Sequence, residues 1–249
     1  MVYAAVKDAE LHLFSGPHPS GNVGVQIHHI APVNKGETVW YCSPQDVIAI
    51  GKLFITGYRD ITRFVTFAGS ELKDAYMVEI PAESSLEWLL AGNVKQDNVR
   101  VISGNVLTGT NVGKQGFLGF YDTMVTVIPE GDYFDFFGWA TPGFNKHSAS
   151  RTFTAFLTPK RKFRLDTNYH GGERAFVLSD QYDKVFPFDI LPVYLLKAIL
   201  AGDVEKMEQL GIYEVAEEDF ALCEYVCTSK IETQQIVRDG IDLMITEMS

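Results

Sequence analysis

Hydrophobic positions in this chain of 249 residues recur at two spacings, as short strand-like runs in the middle and at helical intervals toward the C-terminal end. Residues 63–68 and 75–80 are short runs rich in aromatic and β-branched side chains, and the polar stretch 69–74 separates them. Two such runs joined by a short polar turn are typical of antiparallel strands. These residues therefore predict a β-hairpin.

A small mixed unit is predicted around this hairpin. A short helix with three leucines on one face is expected to begin at Ser84 or Ser85 and to end at Gly92. Residues 99–104 and 120–128 then return to strand patterns. A hairpin, a short helix and further strands so close together indicate an α+β unit of the ubiquitin-like β-grasp type.

A turn-rich loop, Ser15–His29, lies close to the start of the chain. Three glycines and two prolines within nine residues supply positive-φ freedom and rigid corners, which suit a backbone that approaches a ligand closely. The apolar alternation of residues 10–14 predicts a strand that runs into this loop. Residues 23–27 predict a return to β structure.

Helices are predicted on both sides of the β-rich part. A helix over 43–54 is favoured because Ser43 suits an N-cap, Pro44 suits the first turn and apolar residues follow at helical spacing as far as Gly57. After Pro187 the pattern becomes helical with short breaks, which predicts a terminal bundle whose acidic residues line solvated faces. The predicted segments of this bundle are 189–200, 203–210, 217–226 and 231–248.

Composition narrows the possible partners. A net charge of −11 disfavours nucleic acid as a partner, and the dense basic run Lys160–Arg164 fits a solvated strand edge or a contact with an acidic partner.

No window approaches the ~18 uninterrupted apolar residues of a membrane span, and residues 1–10 lack the pattern of a signal peptide. Three cysteines do not suit a secreted disulfide scaffold, so a cytoplasmic, reducing location is expected.

Five aromatic residues crowd the stretch Tyr133–Trp139. Each buried ring covers ~150–250 Å², so this density favours packing in a core or at a domain interface over a cofactor pocket. The polar run 142–150 that follows is interpreted as a connector.

The chain carries no complete catalytic motif. Its loop glycines match neither a phosphate-cradling loop nor the dinucleotide fingerprint, and no nucleophile with a partner stands out. His28 and His29 would point to opposite faces of a strand, which disfavours a shared metal ion. Cys223 and Cys227 are four residues apart on a predicted helix, but iron–sulfur clusters take four thiolates, so buried structural cysteines are favoured.

Distinct motifs are spread in order along nearly the whole chain. They are HPSGNVGVQIHH from His18 with Pro32 and TVW from Thr38, DVIAIGKLF from Asp46, RVISG from Arg100, IPEGD from Ile128 with Gly138-Trp139, SxSRTF from Ser148 and LCEYVCTSK from Leu222. Together they resemble the A subunits of the bacterial Na⁺-translocating NADH:quinone reductases.

The resemblance implies an α+β architecture in several parts. Residues 1–60 would be the end of a Rossmann-like domain, 61–135 a β-grasp, soluble-ligand-binding domain, 136–185 a connector and 186–249 a helical bundle. Members of the family are substantially longer. The N-terminal half of such a protein is therefore expected to precede Met1.

The resemblance also implies a function. The chain would belong to a peripheral subunit on the cytoplasmic face of the inner membrane, without a membrane span of its own, that supports quinone binding and reduction coupled to sodium transport. No redox centre and no catalysis by this chain alone are expected, and FAD, FMN, riboflavin and iron–sulfur would be held by partner subunits. The alternative is an independent β-grasp module that binds a small ligand and has no electron-transfer role.

A quinone requires an apolar, aromatic pocket with a few hydrogen-bond donors. No catalytic residue and no metal ligand is predicted. His18 could donate a hydrogen bond to a ligand oxygen or could be a surface turn residue, and the glycine loop is expected chiefly to form a structural turn at a domain boundary. The candidate quinone or ligand residues in the loop and the aromatic stretch are His18, Gly21, Gly24, His28, Tyr133 and Trp139.

Overall fold

The computed structural model describes residues 9–138, 140–158, 160–177 and 180–247. The chain divides into two compact units that interleave in sequence. We call Trp40–Ala175 with Thr228–Lys230 the sheet unit. We call the residues before Trp40, together with Phe176–Cys227 and those from Ile231 onward, the helical unit.

The architecture is mixed α/β. The helices are α1 Val23–Ile30, α2 Pro44–Thr56, α3 Leu86–Leu90, α4 Pro192–Leu200, α5 Val204–Gln209, α6 Ala221–Val226 and α7 Thr233–Glu247. The strands are β1 Thr62–Ala68, β2 Tyr76–Pro81, β3 Val99–Ser103, β4 Thr110–Asn111 and β5 Met124–Pro129. Short 3₁₀ turns occupy Thr154–Leu157, Ile212–Glu214 and Glu217–Phe220.

The sheet unit is built on one five-stranded sheet of order β2-β1-β5-β3-β4. β1 pairs antiparallel with β2, which confirms the predicted hairpin, and parallel with β5. β3 pairs antiparallel with both β5 and β4. The two-residue β4 has no counterpart in the predictions, because so short a strand leaves no periodic pattern.

Leucines of α3 supply the predicted apolar face. Leu86, Leu89 and Leu90 are buried in one core cluster with the inward side chains of β1 and β5. Phe67 of β1 is fully buried and stacks on Tyr76 of β2 at 4.7 Å between ring centroids. Burial of these side chains holds the helix on the sheet, at roughly 1.5–3 kcal/mol for each fully buried large apolar side chain.

The local signals for α2 are all satisfied. Ser43 and Asp46 form a reciprocal capping box, Pro44 is the first helical residue, and Gly57 ends the helix with a left-handed φ of +74°. The predicted helix is confirmed. Its apolar residues nevertheless remain outside any core, since none of the residues of α2 is buried.

The helical unit packs around α4. Leu195 and Leu196 are fully buried, and α1 contributes Val25 to the same core. Gly240 of α7 permits close contact with α4, because a β-carbon there would be 2.8 Å from Ile199 Cγ1. The four predicted helical segments are confirmed in this unit, with the start of the third in 3₁₀ form.

Two predicted strands near the N-terminus are wrong. Residues 23–27 lie in helix α1, where Val23, Ile27 and Ile30 recur at helical spacing and Val25 is buried. The alternation in this segment fits both periods, and packing into the helical core favours the helix. Residues 10–14 form no strand, because no other segment in the described part of the chain pairs with them.

Candidate functional site

His28 lies in the last turn of α1, and both of its ring nitrogens have partners in the helical unit. Nδ1 lies 2.7 Å from Glu214 Oε2, and Nε2 accepts a hydrogen bond of 3.0 Å from the backbone N–H of Asp189. The ring also lies 4.9 Å from the ring of Phe188. A neutral imidazole with its proton on Nδ1 satisfies both hydrogen bonds. His28 therefore holds α1 in place.

Gly24 lies against a buried acid that the sequence analysis missed. A β-carbon at Gly24 would be 2.7 Å from Asp219 Oδ1. Asp219 is 2% exposed, and its Oδ2 accepts a hydrogen bond of 2.9 Å from the N–H of Ala216. Oδ1 has no partner in the part of the chain that is described. Burial raises the pKa of Asp219 to about 6.

His18 and Gly21 occupy the open side of the glycine loop. His18 is exposed and precedes Pro19, which is buried and joined to it by a cis peptide bond. No atom would lie within 4 Å of a β-carbon at Gly21. These two positions leave room for a ligand, whereas Gly24 and His28 are already in close contact with protein groups.

Tyr133 belongs to the sheet unit. Its hydroxyl donates a hydrogen bond of 2.8 Å to Asp166 Oδ2, which raises the pKa of Tyr133 to about 12. Phe134 and Phe136 are 103% and 89% exposed. These two rings do not pack in a core, so that alternative is wrong for them, whereas packing at a domain interface stays a prediction. Trp139, the remaining candidate, lies outside the described residues.

Cys223 and Cys227 are buried free thiols, which confirms them as structural cysteines. The hydroxyl of Tyr182 donates to Cys227 Sγ at 2.8 Å, and burial raises the pKa of Cys223 far above its usual range. A thiol that stays protonated is a poor metal ligand and a poor nucleophile. Across the described ranges, no cluster of three or more His, Cys, Asp or Glu side chains could hold a metal ion.

An ion pair in the sheet unit joins a buried carboxylate to a largely exposed guanidinium. Glu71 is 1% exposed, and Arg164 donates to it twice, from Nε at 2.6 Å and from Nη2 at 2.8 Å. The guanidinium holds the pKa of Glu71 below its usual range. One interpretation placed the basic run Lys160–Arg164 at a strand edge, and this is wrong. The run lies in an irregular segment that the ion pair between Arg164 and Glu71 anchors.

The sheet unit also contains an open cavity of about 430 Å³ beside α3. Its lining combines Glu87, Lys95, Asp97 and Lys114 with aliphatic groups and includes no aromatic ring. Such a lining suits a small polar ligand better than a quinone. This cavity was not predicted, because its residues come from a helix and two separate loops.

Comparison with known protein sequences identifies the family of this chain. Residues 1–59 match a family model described as the NqrA second alpha/beta domain, and residues 64–114 match one described as the NQRA C-terminal domain. The A subunit of the Na(+)-translocating NADH-quinone reductase of Rhodopirellula baltica is 43% identical over 230 residues, which cover 92% of this chain and 50% of that protein. The corresponding Shewanella frigidimarina protein is 42% identical over 96% of this chain and 54% of its own length. The chain belongs to the NqrA family.

The match to the NqrA proteins covers nearly all of this chain but only part of each relative. The chain spans about half the length of the curated relatives it matches. Agreement with NqrA runs along nearly the whole chain, as the motifs predicted, and does not favour the alternative of an independent ligand-binding module. Within the described ranges, no helix is both long enough and apolar enough to cross a membrane.

Membership of the NqrA family does not identify Asp219 or Glu71. Asp219 ends the acidic run of residues 217–219, which the sequence analysis assigned to a solvated helix face. Glu71 lies in the predicted polar turn between β1 and β2. Only the tertiary structure places an apolar or cationic neighbour beside each carboxyl group, so no local pattern could have revealed them.

Proposed function

We propose that this chain forms part of the NqrA subunit in a Na⁺-translocating NADH:quinone reductase complex, where it supports quinone binding and reduction coupled to sodium transport. The observation that carries the proposal is 43% identity to an NqrA protein over 92% of the chain. The chain contributes no redox centre in this proposal. FAD, FMN, riboflavin and iron–sulfur are held by partner subunits, and the chain is peripheral on the cytoplasmic face of the membrane.

The finer architecture belongs to the same proposal. The order β2-β1-β5-β3-β4, with β1 parallel to β5 and one helix on the sheet, supports a β-grasp domain in residues 61–135. The shared core of α4 to α7 supports a helical bundle in 186–249, with 136–185 as the connector. Residues 1–60 form the end of a Rossmann-like domain.

The exposed face of α2 supports this role for residues 1–60. Phe54 and Ile55 are 86% and 85% exposed, and Ile48 is 60% exposed, although α2 is well capped. A stable amphipathic helix normally buries its apolar stripe. In the proposed domain, that stripe packs on the part of NqrA that lies outside the match with this chain.

The quinone contact is assigned to the open side of the glycine loop. His18 is exposed and can donate to a quinone carbonyl, and Gly21 leaves the backbone accessible. Gly24 packs closely against Asp219, and His28 forms a hydrogen bond with Glu214. Tyr133 and Trp139 remain aromatic candidates for the quinone ring.

A chimera tests the proposal. The matched half of the Shewanella frigidimarina NqrA protein is replaced by this chain, and membranes are assayed for NADH-driven quinone reduction and Na⁺ uptake. We expect both activities to be restored, whereas a truncated NqrA without the replacement restores neither. A chimera that assembles with the other subunits and supports neither activity would overturn the proposal. Full activity of the truncated NqrA would favour the independent module.

Labelling with a photoreactive quinone tests the contact residues in the same chimera. The variant His18→Ala should lower labelling of the chain about tenfold, because a carbonyl hydrogen bond is worth about 1.5 kcal/mol. His12→Ala removes another solvent-accessible histidine of the same unit and serves as the matched control. Equal labelling of the two variants would remove His18 from the site.

A further inference from the structure

Charge is distributed unevenly along the chain. Residues 136–165, which we call the aromatic–basic segment, contain six Lys or Arg side chains and no Asp or Glu, within a chain of net charge −11. The segment is also rich in phenylalanine. A solvated connector in an acidic protein has no need of either property.

The segment folds back on itself. The backbone N–H of Thr154 donates to Pro142 O at 3.1 Å, and Arg161 Nη1 donates to Phe144 O at 2.9 Å. These hydrogen bonds link positions 12 and 17 residues apart. Aromatic and basic side chains from different parts of the segment therefore share one neighbourhood.

Its end is fixed to the sheet unit by Arg164, through the buried carboxylate of Glu71. A second tie lies just outside the segment, where Tyr133 donates to Asp166 at 2.8 Å. Several apolar side chains of the segment are exposed: Phe136 is 89% exposed, Phe144 65% and Leu157 69%. Exposed apolar groups of this size on an anchored segment are typical of a surface that binds something.

Two lysines of the same segment are also accessible to a partner. Lys160 and Lys162 are exposed and make no ion pair within the described ranges. Their positive charge has no acidic neighbour in the segment to neutralise it. An occupant must therefore combine negative charge with an apolar layer that accepts aromatic rings.

We propose that the aromatic–basic segment docks on the surface of a bilayer containing anionic phospholipids. Anionic headgroups attract Lys and Arg, and aromatic rings with long amphipathic side chains are favoured at the boundary between headgroups and acyl chains. Within its described residues the segment forms one 3₁₀ turn and no strand edge, and so lacks the regular element on which a peptide partner docks. This inference does not depend on the proposed function.

Vesicle flotation tests the docking. The chain is mixed with vesicles of phosphatidylcholine alone or of phosphatidylcholine with phosphatidylglycerol, at low and high salt. We expect binding only to the anionic vesicles and release at high salt, since added salt screens the attraction. The double variant Lys160→Gln/Lys162→Gln should weaken partitioning about twenty-five-fold, or about fivefold per charge.

A matched control separates this site from net charge. The variant Lys52→Gln/Lys114→Gln removes the same charge from two exposed ion pairs of the sheet unit and should leave partitioning within about twofold. The variant Phe136→Ser/Phe144→Ser should lower it roughly tenfold, because membrane binding scales with buried apolar area. Circular dichroism checks that each variant is folded.

Three results would overturn the proposal. They are equal binding to neutral and anionic vesicles, an equal loss in the Lys52/Lys114 control, and no vesicle binding at either salt concentration. The last result would instead favour an acidic protein surface as the partner. It would leave the chimera experiment unaffected, so failure here and failure of the proposed function can be told apart.

Discussion

The carboxyl group of Asp219 lies against the α-carbon of Gly24, so closely that a methyl group at that position would be 2.7 Å from Oδ1 and 2.8 Å from Oδ2. Gly24 does not have a left-handed backbone conformation. Its side chain is absent because the acid occupies the space. Packing therefore explains why position 24 of the glycine loop is a glycine. At this point the loop continues into α1 and contacts the buried, titratable Asp219.

Substitution of Gly24 by alanine should destabilise the helical unit by about 1–3 kcal/mol, because the methyl group overlaps Asp219 in a packed interior. Gly21→Ala is the matched control in the same loop, where a β-carbon meets nothing within 4 Å. Its free energy of unfolding should change by no more than about 0.5 kcal/mol. Urea denaturation measures both, and equal stability of the two variants would show that the contact with Asp219 costs nothing to relieve.

Asp219 should also make stability depend on pH. Its pKa is about 6 in the folded chain and 3.8 for an unperturbed carboxyl group, so the folded state retains a proton that the unfolded state has lost. Stability should therefore decrease as pH rises from about 4 to about 6, by on the order of 3 kcal/mol from this group. Denaturation series across this pH range measure the slope.

Two variants assign that slope to its source. Asp219→Asn cannot titrate and should flatten the decrease between pH 4 and 6. Asp203→Asn changes an exposed N-cap carboxyl group in the same unit and should keep it. If the Asp219 variant and the unsubstituted chain lost stability in parallel, another group would be responsible.

Local signals predicted much of the fold. The capping box at Ser43 and Asp46 fixes the start of α2 within four residues, and the leucines of α3 mark its buried face. The β1–β2 hairpin follows from its short runs and polar turn. These elements depend on neighbours close in sequence, which is why a single chain suffices to find them.

The predictions that failed concern features set by contacts between residues that are far apart in the sequence. The segment 23–27 carries a pattern that fits both a strand and a helix, and its contact with Asp219 lies almost 200 residues away. Aromatic density at 133–139 predicted burial, but exposure is set by whether another surface covers the rings. His28 was a candidate ligand residue, and its partners Glu214 and Asp189 become visible only after folding.

Removal of Arg164 should destabilise the sheet unit. Arg164→Met leaves the carboxylate of Glu71 buried without its cation, at a cost of about 1–3 kcal/mol near neutral pH. This cost is smaller than for a fully buried pair, because the Arg164 side chain is 57% exposed and water can partly replace it.

The Glu71–Arg164 pair also has a defined acid dependence. Because Arg164 lowers the pKa of Glu71 in the folded state, the stabilisation is fully present above the unfolded pKa of about 4.5 and is lost as pH falls from there through the lower, folded pKa. The loss of stability caused by Arg164→Met should therefore become smaller in acid.

Lys114→Met, which breaks an exposed pair with Asp97, is the control and should change stability by less than about 0.5 kcal/mol at any pH. Urea denaturation at pH 7 and pH 4 measures each variant, and an Arg164 effect that does not diminish in acid would contradict this assignment.

The three cysteines should differ sharply in reactivity. Cys42 is exposed, whereas Cys223 and Cys227 are buried and the pKa of Cys223 is strongly raised by burial. Only a thiolate attacks a disulfide reagent, so one thiol should react quickly in the folded chain and two only after unfolding. Titration with a chromogenic disulfide, with and without denaturant, counts the fast and slow thiols.

In Cys42→Ser the fast phase should vanish while both slow thiols remain. A fast reaction of Cys223 or Cys227 in the folded state would show that the helical core opens far more readily than its packing implies.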